Sequence, residues 1–206
     1  QRQMCIRDRM GNRWQASEGP EIIYNAATGY YYLFVAYDAL ETPYNTRVCR
    51  SRNINGPYLG IDGVNLTQDG GEMLPVVTHP YKFSNSHGWV GISHCAVFDD
   101  GNGNWYYASQ GRFPENVGGN AYSNALMMGH VRSIRWNSQG WPVVMPERYG
   151  AVPQIAITED ELIGNWEHID LSYSYGKQKE SSNMTLAADH TITSGIWKGS
   201  SWSYDA

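Results

Sequence analysis

Charge is scarce in this 206-residue chain, with Asp, Glu, Lys and Arg together making up 17% of it. That level, beside 41% hydrophobic residues, excludes a disordered tail and a coiled coil, which are both built largely from charge. Positive charge is scarcer still, 15 Lys and Arg against 20 Asp and Glu, for a formal net charge of −5. Nucleic acid needs a basic face to meet its phosphates, so the balance speaks against that partner. No apolar run reaches the roughly 18 residues that a membrane-spanning helix takes, and no membrane partner is expected. Cysteine is rare, with three residues and no C-x-x-C or paired-His spacing of the kind that holds zinc. Cys49 and Cys95 each lie inside a strand-like run and are expected as buried thiols, with a disulfide between them left open.

Glycine and aromatic side chains fill the space that charge leaves: 22 Gly, 15 Tyr and 8 Trp. The mixture suits an all-β protein with many turns. Aromatic faces also stack on sugar rings, so a neutral, polyhydroxylated ligand is compatible, although most of these rings are expected in the core. The opening "QRQMCIRDR" matches the translation of a transposase adaptor used in sequencing libraries. Residues 1–9 are therefore set aside as an artefact, and the chain is expected to be part of a longer reading frame.

Two stretches share one plan. "EGPEIIYNAATGYYYLFVAYDALETPYNTRVCRS" reads as a strand at Glu21–Tyr24, a hairpin at Ala26–Gly29, an aromatic strand at Tyr30–Asp38 and a strand at Thr46–Arg52. The second reads as strands at His94–Phe98, Trp105–Gln110, Ala125–Trp136 and Trp141–Val144, with a hairpin at Asp100–Asn104. The offset that lays Tyr30 on Trp105 carries Glu18 to within one residue of His94. Repeated antiparallel meanders are the mark of a β-propeller, in which the first strand of each blade lines a central channel; a β-sandwich would give similar strand spacing. On the propeller reading, Glu18 and His94 face one funnel from neighbouring blades. A further partial blade is expected around Trp14 and Thr78–Phe83. Residues 10–152 make the partial propeller. Residues 153–206, with a polar linker at "SYGKQKESSN", begin a small C-terminal β-barrel or sandwich.

Glycoside hydrolysis needs a carboxylic acid that protonates the leaving oxygen, opposite a carboxylate that activates water or attacks. Glu18, at a strand mouth beside Gly-Pro, is the candidate acid. The motifs "SEGPEIIYN", "NTRVCRSRNINGPYLG", "PVVTHPYKF", "GWVGISHCAVF", "YYASQGR", "SNALMMGHVRSIRW" and "GWPVVMPERYG" together resemble glycoside hydrolase family 43, and within it the arabinanases that carry a C-terminal β domain. The resemblance implies a five-bladed propeller, about two to three blades of it present here, and hydrolysis with inversion by two Asp residues and a Glu. Glu18 matches the acid of the family's E-G-P motif. His94, in "GISHCAVF", matches an axial histidine associated with an ion in the central channel, usually calcium, with water completing its shell; a purely water-bridging histidine is the plainer reading. Trp14, Asn45 and Arg112 are the candidate substrate-binding residues, with packing for Trp14 and carboxylate pairing for Arg112 as the plainer roles. Arabinan of the plant cell wall is the implied partner, secretion or periplasmic export the implied location, and a monomer is expected. The family's two Asp motifs have no counterpart here, since Asp38, Asp99 and Asp100 fall in hairpins or loops. An inactive segment of an active parent is therefore expected. An arabinofuranosidase or β-xylosidase of the same family, and a non-catalytic carbohydrate-binding propeller, remain the alternatives.

Overall fold

"YYYLFVAY" is apolar on both of its alternating sets of side chains, so a strand made from it needs cover on both faces. It forms β2 (Tyr30–Tyr37), and both faces are covered. The computed structural model describes residues 17–40, 43–66, 75–119, 126–152, 155–174 and 178–204. Tyr32 and Phe34 enter one core with Val48, Ile92, Val97, Tyr107 and Ile134. Leu33, Val35 and Tyr37 enter a second with Cys49, Tyr58 and Leu66. Each large side chain so buried contributes about 1.5–3 kcal/mol by leaving water. β1 (Ser17–Asn25) and β3 (Asn45–Ser51) flank β2, and β4 (Val76–Thr78) completes an antiparallel sheet in the order β1-β2-β3-β4.

A two-residue strand, β5 (Tyr81–Lys82), leads on to a second meander. Its strands are β6 (Ala96–Asp99), β7 (Trp105–Gly111), β8 (Met128–Trp136) and β9 (Pro142–Val144), paired antiparallel in chain order. The expected repeat is thus two sheets of identical plan. The first core joins them, because Tyr32, Phe34 and Val48 of one sheet share it with Val97, Tyr107, Ile134 and Val144 of the other. Neither sheet closes into a ring, and the expected count of five blades extends beyond the described residues. Residues 78–83 do not begin a third blade. Thr78 ends the outer strand of the first sheet, and Tyr81–Lys82 pairs elsewhere.

That pairing ties in the C-terminal part. After α1 (Glu159–Leu162), whose Glu161 side chain accepts the backbone N–H of Thr158 as in a capping box, come β10 (Gly164–His168), β11 (Lys179–Glu180), β12 (Ser182–Leu186) and β13 (Ile192–Ser194). β10, β12 and β13 form a three-stranded antiparallel sheet, while β11 pairs in parallel with β5. The stretch expected as a polar linker therefore docks on the first half of the chain. Arg47 fastens the same junction, its buried guanidinium lying between the rings of Tyr37 and Tyr173 at 4.3 and 4.6 Å. Cys49 and Cys95 are buried free thiols.

His130, one of two buried histidines whose pKa burial lowers, should make the fold sensitive to acid. His130 on β8 is 1% exposed, and its Nδ1 accepts a hydrogen bond from Arg132 Nη1 at 3.1 Å. Burial first, then the positive charges of Arg132 and Arg148, push its pKa down to about 4 from 6.5. Between those two values the unfolded chain binds more protons at this site than the native one. Stability is therefore lost as pH falls from 6.5 towards 4. The loss expected from this group is about 2–3 kcal/mol at one pKa unit per 1.36 kcal/mol. Urea unfolding at pH 7 and pH 4.5 should show that difference, and His130→Gln should reduce it, leaving the part due to His79.

Candidate functional site

The opening of β1 carries a bulge. Glu18 pairs with Ala36 and Glu21 with Phe34, so Gly19 and Pro20 together oppose Val35 alone. Pro20 fits there, because a proline in a bulge has no ladder bond to lose. The consequence is a change of face. Along regular strand, Glu18 would share a side with Ile22, which packs into the second core, away from the other sheet. The extra residue reverses the alternation. Glu18 therefore stands on the side of Ile23 and Phe34, which faces the second sheet. "EGP" is thus a device that turns a carboxylate around.

His94 meets it from the second sheet. It sits just before β6 with φ +57°, and Gly19 opposite has φ +56°. A Cβ on Gly19 would lie 2.8 Å from His94 Cδ2, so glycine is what lets the ring approach. Between the two stands Tyr44. Its hydroxyl donates to Glu18 Oε1 at 2.5 Å and lies 3.2 Å from His94 Nδ1, while Nδ1 and Oε1 are 3.6 Å apart. With the phenol proton given to Glu18, only lone pairs remain for His94, an arrangement that calls for a proton on Nδ1. Tyr44 is fully buried, whereas the Glu18 and His94 side chains are 54% and 55% exposed. Burial first, then the bond to Glu18, push the phenol's pKa well above its ordinary value.

Neighbouring residues fix Tyr44 and His94 in place. Asn45 donates its amide to Pro43 O at 2.8 Å and Asp38 Oδ2 at 3.0 Å, and its Oδ1 accepts from Arg47 Nε at 3.0 Å. Ser93 Oγ donates to Asn45 O at 2.9 Å. Thr46 Oγ1 lies 2.7 Å from both Ser93 Oγ and Tyr107 Oη. These buried, satisfied hydroxyls join the two sheets directly behind the site, where a mutual network is worth more than its separate bonds.

The residues expected at the site divide accordingly. Glu18 and His94 come together. Asn45 is buried with its amide committed inside, so its place is in the scaffold and not on a cleft wall. Arg112 is also buried; its Nη2 donates to Leu40 O, and its guanidinium occupies the space a Cβ on Gly91 would need. Trp14 lies outside the described residues. Tyr44 was missed: it immediately precedes Asn45, and which of the two faces the site depends on register. Asp38 is buried against Asn45, and Asp100 accepts the backbone N–H groups of Asn102 and Asn104. No described group of three His, Cys, Asp or Glu residues could hold a metal. Calcium takes six to eight oxygen ligands, so an ion beside His94 would draw most of its shell from water, as expected from the sequence.

Comparison with known proteins bears on this arrangement. A family model described as glycosyl hydrolases family 43 matches residues 2–142, starting inside the stretch expected to be an artefact, and one described as a C-terminal lipocalin-like domain matches residues 146–206. The extracellular endo-α-(1→5)-L-arabinanase 2 of Bacillus subtilis is 27% identical over 216 residues, covering 92% of this chain and 44% of the relative. The extracellular endo-α-(1→5)-L-arabinanase of Thermotoga petrophila is 28% identical over 208 residues, covering 91% and 42%. Among solved structures, the family 43 glycoside hydrolase YxiA of Bacillus licheniformis matches with a TM-score of 0.76 and 29% identity, over 86% of this chain and 42% of that one. The endo-1,5-α-L-arabinanase of Thermotoga petrophila, in complex with Tris, gives 0.74 and 26% over 87% and 42%. The chain spans about two fifths of the length of these relatives.

Proposed function

This chain belongs to glycosyl hydrolase family 43, and from that premise we propose that it supplies the general acid of an extracellular endo-α-1,5-L-arabinanase. The observation that carries the reading is the bulge that turns Glu18 out of its own sheet towards His94. The named activity and extracellular location of both curated relatives support the substrate, arabinan, and the export. The two repeated sheets are then neighbouring blades of one propeller, and the site opens between their first strands.

In the reaction, protonated Glu18 gives its proton to the glycosidic oxygen as the bond from that oxygen to the anomeric carbon breaks. A water attacks that carbon from the opposite face and loses its proton to a carboxylate base, so the new hydroxyl has inverted configuration. Solvent reprotonates Glu18. No described aspartate is placed as that base: Asp38 is buried and Asp100 serves its own turn. Activity therefore belongs to a chain of the relatives' length that contains this segment, and residues 1–206 alone are inactive. Incubation of such a full-length protein with linear α-1,5-arabinan should release a ladder of arabino-oligosaccharides. Release of single arabinose units only, or of xylose from aryl β-xylosides, would overturn the endo-arabinanase reading.

A further inference from the structure

We propose that Tyr44 is the positioning residue of the acid: its hydroxyl occupies Glu18 Oε1 and so reserves Oε2 for the proton that is transferred. The inference rests on the functional reading of Glu18 given above and deepens it. A carboxylic acid has two oxygens, and a leaving group can be protonated only from the one that reaches it. Tyr44 donates to Oε1 at 2.5 Å, and an oxygen that accepts such a bond keeps its lone pair and not the acid proton. His94 Nδ1 stands 3.2 Å from the same hydroxyl and fills the remaining side of the oxygen. With the imidazole proton on Nδ1, the donors would run His94 Nδ1–H, Tyr44 Oη–H, Glu18 Oε1, and end on that one carboxylate oxygen. Half of the Glu18 side chain is exposed while Tyr44 is fully buried, so the free oxygen is the one presented to the cleft.

The backbone supports this role. Tyr44 is followed by Asn45, whose amide is held by Pro43 O and Asp38 and whose carbonyl is held by Ser93. Ser93 in turn precedes His94. The hydroxyl and the imidazole are thereby anchored to one buried network, and the acid is held through Tyr44, which itself stays clear of the substrate.

The test separates positioning from general damage by choice of leaving group. A sugar must be protonated as it departs, whereas 2,4-dinitrophenolate leaves without help. In the full-length protein, Tyr44→Phe should lower kcat on arabino-oligosaccharides by about 100-fold, the scale of a misplaced catalytic group, with KM unchanged. On dinitrophenyl arabino-oligosaccharides its kcat should stay within a few-fold of wild type. Equal losses on both substrates, or none on the oligosaccharide, overturn the proposal. Glu18→Gln sorts the two levels of the argument: wild-type rates in that variant sink the functional reading, while a dead Glu18→Gln beside an unimpaired Tyr44→Phe sinks only the role of Tyr44. The unsubstituted full-length protein gives a second reading, free of any effect of substitution. Its Tyr44 hydroxyl proton, identified by proximity to the Tyr44 ring protons in NMR spectra, should exchange slowly and resonate downfield. A hydroxyl exchanging freely with water would contradict the bond to Glu18.

Discussion

Glu18→Gln is expected to cut kcat on linear arabinan by about 10²–10⁴-fold in the full-length protein, the usual contribution of a positioned general acid. Glutamine is nearly isosteric, and its carbonyl oxygen still accepts the Tyr44 hydroxyl that now bonds Oε1 at 2.5 Å. The substitution thus removes the transferable proton and little else. With Glu18 half exposed at a strand mouth, no buried cavity is created and no core contact is lost. The thermal unfolding midpoint should stay close to wild type while turnover collapses. A matching fall in both would mean that Glu18 holds the fold together and serves no catalytic purpose.

Arg47→Ala should produce the largest loss of stability, about 3–5 kcal/mol, the cost of removing one member of a buried ion pair. The guanidinium is fully buried between Tyr37 and Tyr173, bonds Asn45 Oδ1 at 3.0 Å and lies 4.0 Å from Asp38 Oδ2. Alanine removes the stacking partner of two rings and leaves the Asp38 carboxylate, 4% exposed, next to an empty volume. A single domain commonly has only about 5–15 kcal/mol in hand, so the denaturant midpoint should fall sharply. Two local effects should accompany it. Residues 170–174 should exchange amide hydrogens faster, because Tyr173 has lost its platform. Asn45 should loosen as well, and with it Tyr44. Arg47→Lys keeps the charge but not the flat, forked group that stacks and bonds at once, and should fall between the two. A loss below about 1 kcal/mol in Arg47→Ala would place this junction among ordinary surface contacts.

The parts of this fold that could be read from the chain are those with long, periodic signals. β2 and β7 begin where expected, since each opens on a run of aromatic residues directly after a glycine-containing hairpin. Aligning those two strands also carries Glu18 to within one residue of His94, and the two side chains lie 3.6 Å apart. β4, β5 and β11 are two or three residues long, too short to show any period, and their pairing is decided by what the chain meets after folding. α1, with four residues, is equally silent. Tyr44 and Asn45 show a different limit. Both lie at the mouth of a strand, adjacent residues face opposite ways, and only the register determines which one reaches the carboxylate. The bulge at Gly19–Pro20 was visible as a Gly-Pro pair. Its effect on Glu18 was not, because it depends on counting partners along β2.

A double-mutant cycle on Glu18 and Tyr44, with kcat on arabino-oligosaccharides as readout, tests the site most directly. If the buried phenol acts through the carboxyl group, the Glu18→Gln, Tyr44→Phe protein will be no slower than Glu18→Gln alone, the mark of two residues working as one. Losses that multiply, or a Glu18→Gln enzyme that turns over normally, would contradict the account.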